Sequence, residues 1–145
     1  MSKFDLEGFL PYQLSVVASR ISKAFSILYK QKFGISIAEW RVVAHLSQAG
    51  TVSVREIHER VDMDKSKVSR AAKRLELAGF VSKRADPDDG RLVSLSLTDK
   101  GDAMIKELTP LAIQFEQEVM KSLGCDAKTF RNALAKLLDL QNFRA

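Results

Sequence analysis

Between Lys65 and Arg84 the chain carries Lys65, Lys67, Arg70, Lys73, Arg74, Lys83 and Arg84 against Glu76 as the sole acid. That local excess is larger than the +5 of all 145 residues together, so the remainder is close to neutral. Cations gathered in one stretch are the electrostatic footprint of a surface that meets a polyanion, whereas solubility alone is served by spread charge. Just beyond lies "ADPDDGR", residues 85–91, where Asp86, Asp88 and Asp89 stand between Arg84 and Arg91. Carboxylates oppose a polyanion, so they need another task. After a proline, Asp–Asp–Gly suits a tight turn: short acceptors bond back to the backbone and Gly90 takes positive φ. A carboxylate in that turn also holds an arginine in one rotamer, sparing part of its ordering entropy on binding. Asp89 is therefore read as a brace and Arg91 as the residue presented outward. A mobile acidic loop with incidental arginines is the competing reading.

Such a surface must be carried by defined elements, and the apolar spacing predicts them. After Pro11, the residues Leu14, Val17, Ala18, Ile21, Phe25, Leu28 and Tyr29 recur at intervals of three and four. They form the stripe of a long helix running to about Lys32 and stopped by Gly34. Ser36 with Glu39 three residues on is a capping box, opening a second helix with Trp40, Val43 and Leu46 that ends near Gly50. Ser53 with Glu56 repeats the device for a short third helix bearing Val54, Ile57 and Val61. Asp64 is placed to cap a fourth helix, 65–78, which Gly79 ends as a left-handed residue. From Phe80 the period shortens to two: "FVSKR" and "LVSLSL" alternate around the "DPDDG" turn and predict a β-hairpin. Thr98 and Asp99 then open a helix with Met104, Leu108, Leu111, Phe115 and Val119 on one stripe, bent by Pro110. Gly124 ends it, and Asp126 caps a last helix with Phe130, Leu134, Leu137 and Leu138.

Helices 53–61 and 64–78, separated by "DM", have helix-turn-helix spacing. Val68, Ala71, Ala72 and Leu75 share one face of the second, leaving Ser66, Ser69, Arg70, Lys73 and Arg74 opposite at about 100° per residue. Hydroxyls and long cations are the groups that bond to base edges and phosphates. A solvated basic helix is the plainer alternative, but that face holds almost no compensating acid and a hairpin with arginines near its tip follows at once. The expected fold is therefore mainly α with a small β-hairpin wing, a winged helix-turn-helix whose reading helix enters the major groove while the wing reaches the adjacent minor groove.

Other chemistries find little support. Hydrophobic residues are 46% and charged residues 28% of the chain, an ordinary globular composition. No apolar run approaches the roughly 18 residues of a membrane span. Acidic residues stand in "MSKFDLEGFLPYQ" where an export signal would be apolar, so a cytoplasmic protein is expected. His45 and His58 lie on separate helices without metal-ligand spacing and are read as surface or packing residues. The single cysteine, Cys125, excludes an internal disulfide framework. It sits between Gly124 and Asp126 at a helix junction, where a helix dipole could activate it. Neither a metal nor a cofactor is called for.

The stretch "DMDKSKVSRAAKRLELAGFVSKRADPDDGRLVSLSLTDKG" resembles the winged-helix core of the multiple antibiotic resistance regulator (MarR) family. The resemblance includes the wing's "D-x-R", here Asp89-Gly90-Arg91, and the "LT-x-x-G" of Leu97, Thr98 and Gly101, and covers nearly the whole chain in length and element order. It implies a homodimer, in which residues 1–34 and 98–145 supply interlocking dimerisation helices around a DNA-binding domain of residues 35–97. It also implies a ligand- or redox-responsive transcriptional regulator, usually a repressor, on a pseudo-palindromic operator in double-stranded DNA. Carried over by position, Ser66, Lys67, Ser69 and Arg70 would make recognition-helix contacts, with Lys73 and Arg74 nearer the backbone. Arg91, braced by Asp89, would enter the minor groove, and Arg84 joins the wing's DNA-facing cations. Lys67 departs from the smaller residue that many relatives carry. Redox-sensing relatives hold their cysteine near the N-terminus, where this chain has none. Tyr29, Phe33 and Trp40 could line a small-molecule effector cavity, although aromatics at helical spacing are more often core. A winged-helix dimer serving as a protein-interaction module is the second function class, and an enzyme a distant third.

Overall fold

The computed structural model describes residues 2–85, 87–89 and 93–140. Its elements are α1 (Leu10–Phe33), α2 (Ile37–Ala49), β1 (Val52–Ser53), α3 (Val54–Val61), α4 (Lys65–Leu77), β2 (Val81–Ala85), β3 (Val93–Leu97), α5 (Asp99–Ser122), a 3-10 turn (Gly124–Asp126) and α6 (Ala127–Asp139). The chain forms two compact units, divided after Leu108.

In the first unit the helix ends follow local chemistry. The Ser36 hydroxyl accepts from the Glu39 N–H at 3.2 Å, while the Glu39 carboxylate accepts from the Ser36 N–H at 2.7 Å. This is the expected capping box, satisfying two donors that helix geometry orphans. Ser53 makes the forward half of the same device, accepting from the Glu56 N–H at 3.1 Å. Gly34 and Gly79 take positive φ at the ends of α1 and α4, +68° and +84°, as a left-handed terminator must. Asp64 makes no side-chain cap bond to α4, in contrast to the expectation. α1 starts at Leu10, with Pro11 in its first turn, where a missing N–H costs nothing.

The sheet has three antiparallel strands in the order β1-β3-β2, one more than the sequence announced. β1 is only Val52–Ser53, paired with Leu95 and Ser94; β2 runs against β3 with Val81 opposite Leu97 and Ala85 opposite Val93. Two residues carry no periodicity, so β1 is invisible until β3 arrives beside it. The core lies between α2, α3, α4 and the sheet. It is built from Val42, Val43, Leu46, Ile57, Val68, Ala71, Ala72, Leu75, Val81 and Leu95, joined by Met104 and Leu108 of α5. The α1 stripe is only partly within it: Phe25 and Tyr29 are buried, whereas Leu14, Val17 and Ile21 are exposed.

The second unit holds the rest of α5, the 3-10 turn and α6. α5 continues as helix through Pro110. Arg131 of α6 donates to Glu116 of α5 at 2.7 Å. Asp126 does not cap α6: its φ of −82° and ψ of −6° are helical, and the 3-10 turn takes the place of the expected cap. None of the residues of α6 is buried, and Phe130, Leu134 and Leu138 lie open.

Candidate nucleic-acid interface

α4 shows one face to the core and the other to solvent. Val68, Ala71, Ala72 and Leu75 are buried, while Ser66, Lys67, Ser69, Arg70, Lys73 and Arg74 are all exposed. The small inward residues let the helix sit close on α2 and α3. At 100° per residue, Ser66, Arg70 and Lys73 form the crest, in line with Leu77, which is 79% exposed.

The remaining side chains fall to the flanks, and a cleft lies along each. Toward α2, Lys67, Arg70 and Arg74 line a cleft of about 380 Å³ with Ala38. Toward the sheet, Lys65 and Ser69 share a cleft of about 500 Å³ with Arg55 and Lys83. The six exposed α4 residues singled out in the sequence are thereby divided between a crest and two grooves. Arg55, Lys65 and Lys83 join them, and helical spacing on α4 alone does not mark these three as site residues. Lys65 and Lys83 were already in the basic run. Arg55 lies outside it, and only the packing of α3 beside α4 brings it near.

The sheet side is organised by cross-strand contacts. The Ser82 and Ser96 hydroxyls hydrogen-bond at 3.0 Å, and the Ser94 hydroxyl donates to the Arg84 carbonyl oxygen at 3.4 Å. Lys83 lies 4.0 Å from Glu76, the one acid of the basic stretch, so that carboxylate faces a wing lysine. Arg84 is exposed at the end of β2 and Asp89 is half-buried. Asp86, Gly90, Arg91 and Leu92 lie outside the described residues, and with them the pairing of Asp89 with Arg91.

The histidine, aromatic and cysteine candidates lie on elements other than α4, off its crest. His58 Nδ1 hydrogen-bonds the Met63 carbonyl oxygen at 2.5 Å, closing the turn between α3 and α4, where Asp62 takes a left-handed φ of 53°. Among the described residues no cluster of His, Cys, Asp and Glu could hold a metal ion. Tyr29 stacks on Trp40 with centroids 5.4 Å apart, and Phe25 meets both rings edge-on. Burial pushes the Tyr29 phenol up to about 12, opposed in part by the positive charge of Arg41. Phe33 packs edge-on against Phe80 at 6.3 Å. Phe25 and Tyr29 are buried and Trp40 and Phe33 half-buried, and their rings join α1 to α2 and to Phe80 between α4 and β2. Cys125 is exposed in the 3-10 turn.

Comparison with known proteins agrees with this architecture. The model of the MarR family matches residues 33–92. The HTH-type transcriptional repressor MdtR of Bacillus subtilis (strain 168) is 36% identical over 107 residues, 68% of this chain and 69% of that protein. A MarR/EmrR family transcriptional regulator from Acinetobacter sp. ADP1 superposes with a TM-score of 0.80 at 28% identity, over 93% of this chain and 95% of that one. The PcaV transcriptional regulator from Streptomyces coelicolor, solved in complex with its natural ligand, gives a TM-score of 0.74 at 25% identity, over 96% and 98%.

Proposed function

The chain belongs to the MarR family of transcriptional regulators, and from that premise we propose that it is a homodimeric repressor of a pseudo-palindromic operator. It is a regulator and not an enzyme, as its relatives are. The observation that carries the reading is the α4 surface: an exposed crest of Ser66, Arg70 and Lys73 between two cation-lined clefts. In this reading the crest enters the major groove and meets base edges. The clefts accept the phosphates on either side, with Lys67 and Arg74 on one flank and Lys65 and Lys83 on the other. Arg84 and Arg91 extend the contact along the wing, with Asp89 as the brace for Arg91.

The dimer rests on apolar surface that each unit leaves uncovered. Leu14, Val17 and Ile21 are exposed along α1 in the first unit, and Phe130, Leu134 and Leu138 along α6 in the second. A second copy of the chain would bury them, and a two-fold dimer presents two α4 helices to two half-sites. A small-molecule effector belongs to the proposal because PcaV, a solved relative, holds its natural ligand. No described helix is long and apolar enough to cross a membrane, and the proposed place of action is the cytoplasm.

Selection of bound sequences from random duplex DNA tests the reading. A palindromic consensus whose affinity falls steeply with salt is the expected result, since displaced counterions make log affinity linear in log salt. Recovery of no consensus, with association to a protein partner that ignores salt, would favour the interaction-module alternative.

A further inference from the structure

We infer that Lys100 is a positioning residue for DNA reading: from the first turn of α5 it clamps the last turn of the reading helix. Its Nζ donates to the carbonyl oxygen of Ala78, the C-cap of α4, at 2.7 Å. The last carbonyls of a helix have no intrahelical donor, and a cation placed there also meets the negative end of the helix dipole. The same ammonium lies 4.6 Å from the centroid of the Phe80 ring, within the range of a cation–π contact. The lysine stem runs beside Gly79, where a Cβ would sit 3.6 Å from Lys100 Cδ. One side chain thus contacts Ala78 and Phe80 and passes beside Gly79 between them.

Those residues form the joint between α4 and the wing, and other elements converge on it. The Phe80 N–H donates to Leu75 at 2.9 Å, and the Phe80 carbonyl accepts from the Thr98 N–H at 3.1 Å. The Thr98 hydroxyl donates to the Gly79 carbonyl at 2.5 Å. Phe33, the last residue of α1, meets the Phe80 ring edge-on. β2 begins at the next residue, Val81. The joint therefore sets the angle between the α4 crest and the wing strands, and Lys100 ties it to α5.

This role rests on the DNA-binding reading of α4. Attraction of phosphates tolerates a loosely held helix, whereas base readout needs crest and wing in register. Removing the clamp leaves every crest cation in place but frees the end of α4, so the ordering entropy returns as a cost on specific binding.

The test compares the full-length parent chain with Lys100→Met and Lys100→Arg. Amide hydrogen exchange is followed over residues 75–80 without DNA, and affinity is measured for the selected operator and an unrelated duplex across a salt series. For Lys100→Met we expect faster exchange at 75–80 and a ratio of specific to non-specific affinity smaller by about two- to fivefold, less than the full worth of a charged hydrogen bond because the contact is exposed and is already made without DNA. The salt slope should not move. Lys100→Arg, which keeps the positive charge, a donor and a group able to lie on the Phe80 ring, should restore both quantities at least in large part. Unchanged exchange, or an unchanged affinity ratio, overturns the inference. A slope lower by about one unit in Lys100→Met would make the lysine a phosphate contact and overturns it equally. If the parent binds no DNA specifically, the reading of α4 fails and this role with it; unchanged exchange beside tight operator binding removes the clamp alone.

Discussion

Gly101 in the first turn of α5 lies against the main-chain carbonyl of Phe80 so closely that a Cβ has no room between them. Leu97 Cδ2 closes the other side, 3.0 Å from where that Cβ would stand. The Gly101 N–H meanwhile donates to the Thr98 hydroxyl at 3.2 Å. The "LT-x-x-G" pattern is therefore a packing device, letting α5 start directly on the α4–β2 joint.

We predict that Gly101→Ala destabilises the protein. Helix propensity alone would make alanine better by about 1 kcal/mol. Crowding against a backbone oxygen that cannot rotate away should outweigh this, for a net loss of roughly 1–3 kcal/mol. Denaturant unfolding of the two proteins decides it, and an alanine variant as stable as the parent would sink the packing account.

Tyr29 gives a prediction about pH. It is 1% exposed, and burial raises its phenol from 10.0 to about 12 in the folded chain. Below the unfolded value both states keep the proton, and this group contributes no pH dependence. Between the two values the unfolded chain releases the proton first, so stability falls as pH rises, by at most about 1.4 kcal/mol per unit. Tyr29→Phe should remove that alkaline slope. A slope of equal size in the phenylalanine variant would assign it to other groups.

On the α4 crest, Arg70→Ala should cost roughly 1–3 kcal/mol of specific binding by removing a base or phosphate contact. Lys73→Ala should weaken all duplexes more evenly and lower the salt slope by about one unit. Operator titrations at several salt concentrations separate the two effects. If neither variant differs from the parent, α4 is not the reader.

For the wing, Arg91→Ala and Asp89→Ala should both weaken operator binding. Charge alone predicts the opposite for the second, since deleting a carboxylate removes repulsion from phosphates. A brace predicts a loss of about 1 kcal/mol, the entropy of an arginine no longer held. The double variant should bind no worse than Arg91→Ala. Tighter binding by Asp89→Ala would refute the brace.

Leu134 is exposed and Leu137 half-buried on α6. Glutamate at both positions should yield a monomer or insoluble protein, whereas the parent should sediment as a dimer at micromolar concentration. A parent chain that stays folded and monomeric would remove the dimer from the proposal.

The sequence by itself determined what acts over about one helical turn. The spacing of Val68, Ala71, Ala72 and Leu75 marks the inward face of α4, and hence its basic outward face, because helical periodicity is fixed by backbone geometry. The Ser36–Glu39 box was legible because both partners lie within a turn of each other. Caps already strained that range. Asp126 has the right side chain but a helical backbone, a choice made by the turn before it. Pairings between distant residues were decided by the tertiary structure alone. β1 exists only because Val52 and Ser53 come to lie beside Leu95 and Ser94. Arg55 lines the sheet-side cleft only because α3 packs beside α4. Lys100 reaches Ala78 across 22 residues of chain, and nothing in either neighbourhood announces the contact. Closing a loop costs entropy that only the assembled core repays, so such contacts are products of packing and leave no local spacing to read.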